Sequence, residues 1–590
     1  MRLRPSQLLL PCVSLYLAAL VVVGCLVHPI PVAGGEYDGY AERAELLLAG
    51  NLVNDPFHGM LYPELVALVS TVVGDAFAAA RLVTSLSAAV LLLALHRLTT
   101  VTFGARPAWW TTVLLMANAP FAVMGVQAIA DVLGAALLVG ALAVAAGGES
   151  ALRRGVVGLL LGLAISARPS FLPLAAVFVV WVVWCGERGV VARLLRCGPL
   201  LAGVVIGYLP HAIPTTLQFG SPLANQSWRI LASKAAGWDT TPLHAPEQTG
   251  LFELLREHGG TLWRLGCADF ATLWCDTMPT WLLGGAPWSP GTVVMAVAGI
   301  VAGVWFARQR GHLTWLVSGV VVVYAALVAF TFQPTERTLL AVAPCVLAWS
   351  VAMVDAWTVR GRLVGTLVGV VVLTCTMAAA PAVWVGFVGK HPTAEIVAAR
   401  ELLARHGASV VVASFYPMLG RLAGVQALTL SVTSREPQAL WAGILAAARP
   451  RGVDYVVTST ASIGPLGPLV AALPAGARVE RHEGELLVVA LDRDTVTWLA
   501  EADAALSADG RRFELVVRTL PSVPLVAAGF TVFPPQGNGV LVPLVRVGEH
   551  EFRGTVGVPN GAAGPWRFVP GCMLGDGQLR GSAAIQRDVR

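Results

Sequence analysis

Two carboxylates, Glu36 and Asp38, follow the first long apolar segment of the chain, in the stretch 34–40, which reads GGEYDGY. A carboxylate can accept the proton of an attacking hydroxyl group, so either side chain could serve as a general base. Aspartate is also a favoured N-cap, and Asp38 could simply cap the amphipathic helix predicted after it. Glu36 could be a solvated loop residue or support its neighbour. We therefore predict a base at Asp38, with Glu36 as the second candidate.

Four more charged residues lie within or at the ends of apolar segments: Asp131, Arg168, Glu336 and Arg337. Charged side chains are costly inside a membrane, so they are candidates for function. Arginine can hold a phosphate group through two parallel hydrogen bonds and does not lose its proton. The structural alternatives are that Asp131 pairs with an arginine to hold helices together and that Arg168 anchors its helix at the level of the lipid headgroups. The set predicts transfer of a group from a membrane-bound phosphate carrier.

The composition predicts a membrane protein with many spans. Of the 590 residues, 56% are hydrophobic and only 13% are charged, and the mean hydropathy is +0.70. Soluble domains carry about 25% charged residues. The basic residues stand singly near the ends of apolar segments, so the net charge of +5 does not indicate nucleic-acid binding.

A spanning helix needs about 20 mostly apolar residues. We predict about eleven such segments, at 7–27, 76–99, 107–125, 128–147, 153–166, 170–185, 192–212, 289–308, 312–332, 336–355 and 361–387. Arginines cluster beside alternate ends of these segments, which predicts a cytoplasmic N-terminus in the plasma (inner) membrane. We expect a break at Arg168-Pro169, because a residue before proline disfavours the helical conformation.

Three regions are predicted outside the membrane, on the extracytoplasmic side. The first is a loop at 28–75. The second is a Trp-rich loop at 213–288, which we expect on the outer leaflet and in which Cys267 and Cys275 could form a disulfide.

The third extramembrane region follows the membrane domain of residues 1–390. Alternating helices and apolar strands predict an α/β domain at 391–494. A helix near 495–508 and a β-rich end complete the region 495–590. The predicted fold is thus a polytopic α-helical membrane protein with an extracytoplasmic α/β domain and a β-rich C-terminus.

The predicted topology brings the candidate residues to one membrane face. Asp38 and Glu36 lie in the first outer loop, and Asp131 lies about one turn into the fourth segment from its outer end. Arg168 lies in the next outer break, and Arg337 opens the tenth segment at its outer end. We expect Asp38, Asp131 and Arg337 to line one cavity that faces outward.

Several motifs resemble those of the GT-C membrane glycosyltransferases. The segment DGYA at 38–41, the Leu-rich stretch that ends in Gly50, and LYPEL at 61–65 resemble the first outer loop of that family. VQAIAD at 126–131 is similar to its second acidic position, and GLA at 162–164 with Arg168-Pro169 is similar to a further motif. ERTLL at 336–340 resembles a helix that opens with arginine. The similarity is to the branch that contains bacterial aminoarabinose–lipid A transferases and protein O-mannosyltransferases.

The resemblance implies a fold and an activity for residues 1–390. It implies an inverting transferase that moves a sugar from a polyprenyl-phosphate carrier to a lipid, glycan or protein of the cell envelope. It assigns the base to Asp38 and an acidic partner to Asp131, and it implies substrate binding by Tyr40, Arg168, Glu336 and Arg337. The order Glu36-Tyr37-Asp38 departs from the acidic pair of the branch. Some members use a divalent metal, so the metal requirement stays open.

Two other classes of protein would also fit parts of the sequence. A transporter or lipid flippase would have several spans and intramembrane charges, although we find no internal repeat, which such proteins often show. An envelope-assembly scaffold without catalysis would keep the helices and lose nothing on substitution of Asp38.

Overall fold

The computed structural model describes most of the chain, with gaps between the segments. The described residues are 5–26, 39–50, 58–148, 150–185, 189–223, 228–235, 251–283, 311–332, 335–360, 380–381, 383, 393–407, 410–415, 419–430, 436–448, 453–460, 465–474, 476–491, 499–507, 511–519, 525–534, 537–538, 540–548, 550–558, 564–574, 579–581 and 585–589.

The chain divides into two compact units. The first contains Met1–Ala44, Val53–Leu231 and Phe252–Gly389. The second contains Glu45–Leu52, Ala232–Leu251 and Lys390–Arg590.

Helices make up the described part of residues 5–360. In chain order they are α1 (Pro5–Leu26), α2 (Tyr40–Leu48), α3 (Leu61–Val73), α4 (Ala76–Phe103), α5 (Ala105–Ala117), α6 (Ala119–Gly125), α7 (Ala130–Ala145), α8 (Ala151–Ala167), α9 (Leu174–Trp184), α10 (Val190–Phe219), α11 (Trp228–Ala235), α12 (Leu251–Thr272), α13 (Met278–Leu282), α14 (His312–Thr331), α15 (Glu336–Leu339) and α16 (Ala343–Arg360).

Several of these helices fit a membrane in length and composition. Within the described residues, α4, α10 and α14 are long and apolar enough to cross one. Helices α6 and α7 qualify together but are bent by 110° at the break between them. The count of about eleven spans is therefore not confirmed. The predicted span 289–308 lies outside the described residues, as does nearly all of 361–387.

Close glycine contacts fix the direction of α10 against α8. A methyl group at Gly158 would lie 2.0 Å from the carbonyl oxygen of Leu200, and one at Gly207 would lie 2.3 Å from that of Leu159. Small residues let two helix backbones approach in this way, as in membrane helix pairs. Successive contacts advance in the same direction along both helices, so α8 and α10 are parallel. Residues 153–185 thus form two helices, α8 and α9, with the predicted break at Arg168-Pro169, and their crossing of a membrane stays a prediction.

Helix α12 corrects the disulfide predicted for the Trp-rich loop. Cys267 and Cys275 are free thiols, and they lie eight residues apart on one continuous helical stretch. Eight residues of helix span about 12 Å, beyond the reach of a disulfide. The predicted bridge is therefore wrong. Trp281 is fully buried, so it packs inside the protein, whereas Trp263 is largely exposed.

The second unit contains most of the β-structure. Its elements beyond residue 390 are α17 (Thr393–His406), β1 (Val411–Ser414), α18 (Leu419–Ala423), β2 (Gln426–Thr429), α19 (Pro437–Ala448), β3 (Tyr455–Ser459), α20 (Gly467–Ala471), β4 (Ala477–Glu483), β5 (Leu486–Leu491), β6 (Leu499–Leu506), β7 (Arg512–Thr519), β8 (Leu525–Phe533), β9 (Gly537–Asn538), β10 (Val540–Pro543), β11 (Val545–Arg546), β12 (Glu551–Gly557), β13 (Gly564–Leu574), β14 (Leu579–Gly581) and β15 (Ile585–Val589).

These strands form three sheets. A six-stranded sheet has the order β4-β5-β3-β1-β2-β9, in which β1 is parallel to both β2 and β3. Two antiparallel sheets follow, with the orders β10-β8-β13-β14, where β15 also pairs with β13, and β11-β12-β7-β6. The architecture of helices followed by C-terminal β-sheet domains agrees with the predicted fold class.

A buried carboxylate joins the ends of two parallel strands. Glu395, in the first turn of α17, is fully buried. The hydroxyl groups of Ser414, at the end of β1, and Ser459, at the end of β3, each donate to one of its oxygens at 2.7 Å. A buried carboxylate needs such donors, so these bonds help to fix α17 on the sheet.

The helix predicted near 495–508 is wrong, because residues 499–506 form β6. Its Ala, Glu and Leu residues favour a helix, but pairing with β7 overrides that preference.

A network of charged side chains lies on the surface of this sheet: Arg518 donates to Glu501 and Glu551, and Arg553 also donates to Glu551. Arg518 first, and then Arg553, hold the pKa of the Glu551 carboxyl below its ordinary value.

Candidate functional site

The site is built on Asp131, in the first turn of α7. The chain bends by 110° between α6 and α7, and α7 starts after the extended residue Ile129. A carboxylate in the first turn of a helix interacts favourably with the positive end of the helix dipole. The Asp131 side chain is only 5% exposed, so its charge must be compensated within the protein.

The first compensating cation is Arg168, at the end of α8. Its backbone is extended (φ −140°, ψ 98°), and Pro169 begins a short 3-10 turn, Pro169–Phe171. The break therefore leaves the Arg168 side chain at a helix end, where its Nη1 lies 2.5 Å from Oδ1 of Asp131. The side chain of Arg168 is 15% exposed.

The second cation is Arg337, which comes from the four-residue helix α15. Thr335 and Thr338 cap this short helix reciprocally, side chain to backbone, and so fix its start. Nε of Arg337 lies 2.6 Å from Oδ2 of Asp131, and the Arg337 side chain is 23% exposed.

Each oxygen of Asp131 thus accepts from a different arginine. Two guanidinium groups and one carboxylate leave the cluster with one positive charge in excess. Because each carboxylate oxygen accepts from an arginine and the side chain is buried, Asp131 is placed to orient both arginines. The cluster offers partly exposed guanidinium groups to an anion.

Aromatic residues of the first predicted loop pack beside this cluster. The Tyr40 ring meets the rings of His58 and Tyr62 edge to face, with centroids 5.7 and 4.9 Å apart. Tyr40 also lies close enough to Arg168 to interact with its charge. A methyl group at Gly59 would lie 2.0 Å from the carbonyl oxygen of Ser166, so the loop backbone touches the end of α8 directly.

A chain of hydroxyl groups runs from the same loop to the start of α7. Oη of Tyr62 lies 2.7 Å from Oγ1 of Thr84 and 2.7 Å from the carbonyl oxygen of Ala80. Oγ1 of Thr84 lies 3.2 Å from the carbonyl oxygen of Ile129. Tyr62, Thr84 and Ile129 are all fully buried. The loop is therefore bonded through α4 to the residue two before Asp131.

The predicted site residues fall into two groups. Asp131, Arg168 and Arg337, which are far apart in sequence, meet in one cluster, and Tyr40 lies near Arg168. Glu36 and Asp38 lie outside the described residues, and for Glu336 only the backbone is described.

Helix α2 begins at Tyr40, and the carbonyl oxygen of Gly39 accepts the first helical bond from the Arg43 N–H. The alternative role of Asp38 as a helix cap stays a prediction, because Asp38 lies outside the described residues.

Sequence reasoning missed some residues beside the site. Tyr324 of α14 is buried, its ring meets that of Phe171 edge to face at 5.2 Å, and it lies within electrostatic reach of Asp131, Arg168 and Arg337. In the sequence, Tyr324 is marked only as a tyrosine within a mostly aliphatic segment. His58 is a second residue that sequence reasoning missed, and its ring packs edge to face on that of Tyr40.

The metal requirement is not decided by the cluster. In the part of the chain that the structure describes, no group of three His, Cys, Asp or Glu side chains is placed to hold a metal ion. Glu36 and Asp38 do not belong to that part.

Comparison with known proteins finds similarity among solved structures only. No protein-family profile and no curated protein sequence matches the chain. The crystal structure of ArnT from Cupriavidus metallidurans bound to undecaprenyl phosphate is similar, with a TM-score of 0.49, 14% identity, and coverage of 81% of this chain and 98% of that one.

Two further solved structures show a similar or lower level of likeness. The archaeal oligosaccharyltransferase AglB from Archaeoglobus fulgidus, in complex with an inhibitory peptide and a dolichol-phosphate, has a TM-score of 0.48, 12% identity, and coverage of 90% of this chain and 76% of that one. The mycobacterial arabinofuranosyltransferase AftD has a TM-score of 0.36, 13% identity, and coverage of 88% and 43%. All three are glycosyltransferases of the GT-C superfamily, the one that the sequence motifs resemble.

Proposed function

We propose that the protein is an inverting glycosyltransferase of the cell envelope. It moves a sugar from a polyprenyl-phosphate carrier to an envelope lipid, glycan or protein on the extracytoplasmic face of the inner membrane. The observation that carries this proposal is the buried cluster of Asp131, Arg168 and Arg337 with its excess positive charge.

The charge of the cluster suits a lipid phosphate. The side chains of Arg168 and Arg337 are 15% and 23% exposed, and a guanidinium group carries five N–H donors, more than the contact with Asp131 uses. Hydrogen bonds to a phosphate from preorganised arginines are strong in a site with little water. As the sugar leaves, negative charge grows on the phosphate oxygens, and the same arginines stabilise it.

The base in this proposal is Asp38, with Glu36 as its alternative. Asp38 lies two residues before Tyr40, which lies within electrostatic reach of Arg168. A base there would accept the proton of the acceptor hydroxyl as its oxygen forms a bond to the anomeric carbon, opposite the departing phosphate. In this proposal Asp131 instead orients the two arginines, because each of its oxygens accepts from one of them.

The test is the substitution Asp38→Asn in purified enzyme, assayed with polyprenyl-phosphate sugars and envelope acceptors. Asparagine keeps the size and capping ability of aspartate but cannot accept the proton, so we expect transfer to be lost with donor binding retained. Asp75→Asn is the matched control, because Asp75 caps α4 through its side chain. Near-normal transfer by Asp38→Asn would exclude Asp38 as the base and leave Glu36 to be tested.

A second variant tests the phosphate contact. Arg337→Ala should weaken binding of undecaprenyl phosphate by roughly ten- to a hundredfold, the range of one or two charge-assisted hydrogen bonds. Arg106→Ala is the control, because Arg106 pairs with Asp355 while its side chain is 64% exposed. Equal affinities for Arg337→Ala and the wild type would remove Arg337 from the site.

The sugar and the acceptor are identified by a separate experiment, mass spectrometry of envelope glycans and lipids from cells with and without the protein.

One observation also fits a transporter. The 110° break between α6 and α7 places non-helical backbone within a pair of apolar helices, as transporters do around their substrates. A flippase would move labelled undecaprenyl phosphate across proteoliposome membranes without an acceptor. Movement of lipid without any sugar transfer would favour that class.

A further inference from the structure

We propose that the hydroxyl group of Tyr62 is a positioning group for the phosphate site. It acts through Thr84 on the carbonyl group of Ile129, and so sets the first turn of α7 from which Asp131 orients Arg168 and Arg337. This inference rests on the proposed function, because its readout is binding of a lipid phosphate.

The distances limit which hydrogen bonds of these hydroxyl groups can form together. The hydroxyl groups of Tyr62 and Thr84 share two carbonyl acceptors. The carbonyl oxygen of Ala80 lies 2.7 Å from Tyr62 Oη and 3.1 Å from Thr84 Oγ1. The carbonyl oxygen of Ile129 lies 3.2 Å from Thr84 Oγ1. The phenol is the more acidic of the two hydroxyl groups and the better donor. Tyr62 donates to the carbonyl oxygen of Ala80, so its oxygen can only accept from Thr84.

Competition for the Thr84 proton gives Tyr62 its role. A threonine in a helix commonly donates to the carbonyl four residues earlier, as Thr102 does to Leu98. For Thr84 that carbonyl belongs to Ala80, which Tyr62 Oη already approaches at 2.7 Å. When Tyr62 donates to Ala80, the Thr84 proton is left for the Ile129 carbonyl oxygen at 3.2 Å and for Tyr62 Oη at 2.7 Å.

Removal of the Tyr62 hydroxyl frees Thr84 to turn back to its own helix. The carbonyl group of Ile129 then loses its donor at the point where the chain bends into α7, one residue before the helix begins. Asp131 is the second residue of that helix, and its two oxygens hold the two arginines. A small displacement of Asp131 therefore separates the arginines from the phosphate position.

The ring of Tyr62 has a different task from its hydroxyl. It packs edge to face on Tyr40, and this contact survives in Tyr62→Phe. The substitution thus removes only the hydrogen-bonding group. Thr84→Val removes the second member of the relay, and Thr84→Ser keeps its hydroxyl.

The experiment is a double-substitution cycle on the full-length protein in detergent, with undecaprenyl phosphate as the probe. Tyr62→Phe and Thr84→Val should each weaken its affinity about three- to tenfold, as expected for one hydrogen bond. The double variant should be no weaker than either single variant, because both remove the same relay. Thr84→Ser should restore wild-type affinity.

Two matched controls separate positioning from general stability. Tyr208→Phe removes a tyrosine hydroxyl that donates to the Pro222 carbonyl, and Ser87→Ala removes a buried hydroxyl bonded only within α4. Both should leave the affinity unchanged even where they lower the unfolding temperature.

The possible failures are distinguishable. Wild-type affinity in Tyr62→Phe, or additive losses in the double variant, would overturn the positioning role while leaving the proposed function intact. Lack of undecaprenyl phosphate binding by the wild-type protein would overturn both.

Discussion

Substitution of Asp131 tests whether the arginine cluster depends on one shared carboxylate. Asp131→Asn keeps the volume of the side chain but removes its charge. The amide oxygen can still accept from one arginine, whereas the amide NH2 group faces the other arginine donor to donor. Two like charges then remain close together with no anion between them.

The expected loss can be estimated from the contacts. A hydrogen bond to a charged group contributes about 1.5–3 kcal/mol, and Asp131→Asn removes at least one. Breaking a buried ion pair on one side costs about 3–5 kcal/mol because the remaining charge is uncompensated. The three side chains are 5%, 15% and 23% exposed, so solvent screens them only partly. We therefore expect Asp131→Asn to lower the free energy of unfolding by about 3 kcal/mol.

The chain offers a matched control in the pair of Arg106 and Asp355, whose nitrogen and oxygen are 3.0 Å apart. Arg106 is 64% exposed there, and exposed pairs contribute about 0–1 kcal/mol. Unfolding by SDS in mixed micelles, followed by tryptophan fluorescence, measures both variants. The double variant Asp131→Asn/Arg168→Gln should recover part of the loss, because it restores the charge balance around Arg337. Equal, small losses for Asp131→Asn and Asp355→Asn would refute the idea that this carboxylate supports the site.

Three further outcomes are expected elsewhere in the chain. Gly207→Ala places a methyl group 2.3 Å from a carbonyl oxygen of α8, so it should lower the free energy of unfolding by about 1–3 kcal/mol and the unfolding temperature with it. Gly198→Ala, on the same helix with open space around it, should leave both unchanged. Ser414→Ala should cost about 1–3 kcal/mol in thermal unfolding, because buried Glu395 loses one of its hydroxyl donors. Because the pKa of Glu551 is lowered in the folded protein, its carboxylate contributes stability above pH 4.5, its ordinary pKa, and this stability is lost as the pH falls through the folded pKa. Glu551→Gln should therefore flatten the acid side of a plot of unfolding temperature against pH.

The sequence alone predicted the residues of the cluster because charges in apolar segments are rare. Asp131, Arg168 and Arg337 were each notable for that reason, and topology placed them on one membrane face. Pro169 predicted the helix break that leaves the Arg168 side chain at the end of α8. What the sequence could not show was that all three side chains meet through a single carboxylate.

Other parts of the fold escaped prediction for identifiable reasons. The segment 499–506 has a helical composition, and only its pairing with β7 makes it a strand. The helix α3 was placed within a loop, because thirteen residues are too few for a full span. Tyr324 gave little signal, since one hydroxyl group barely changes the hydropathy of an aliphatic segment. Packing decides each of these cases, and packing depends on residues that are distant in sequence.

The shared carboxylate suggests why the site uses two arginines and an acid. Two guanidinium groups alone would repel each other and spread apart, and their positions would then depend on the phosphate. Asp131 cancels one of the two charges and fixes both arginines before any ligand arrives. In the proposed function the remaining charge attracts a lipid phosphate, and the positions are already set, so little reorganisation is needed when charge develops on the leaving group. A lysine in place of either arginine would offer a point charge and could not both hold Asp131 and present a second pair of N–H groups to a phosphate.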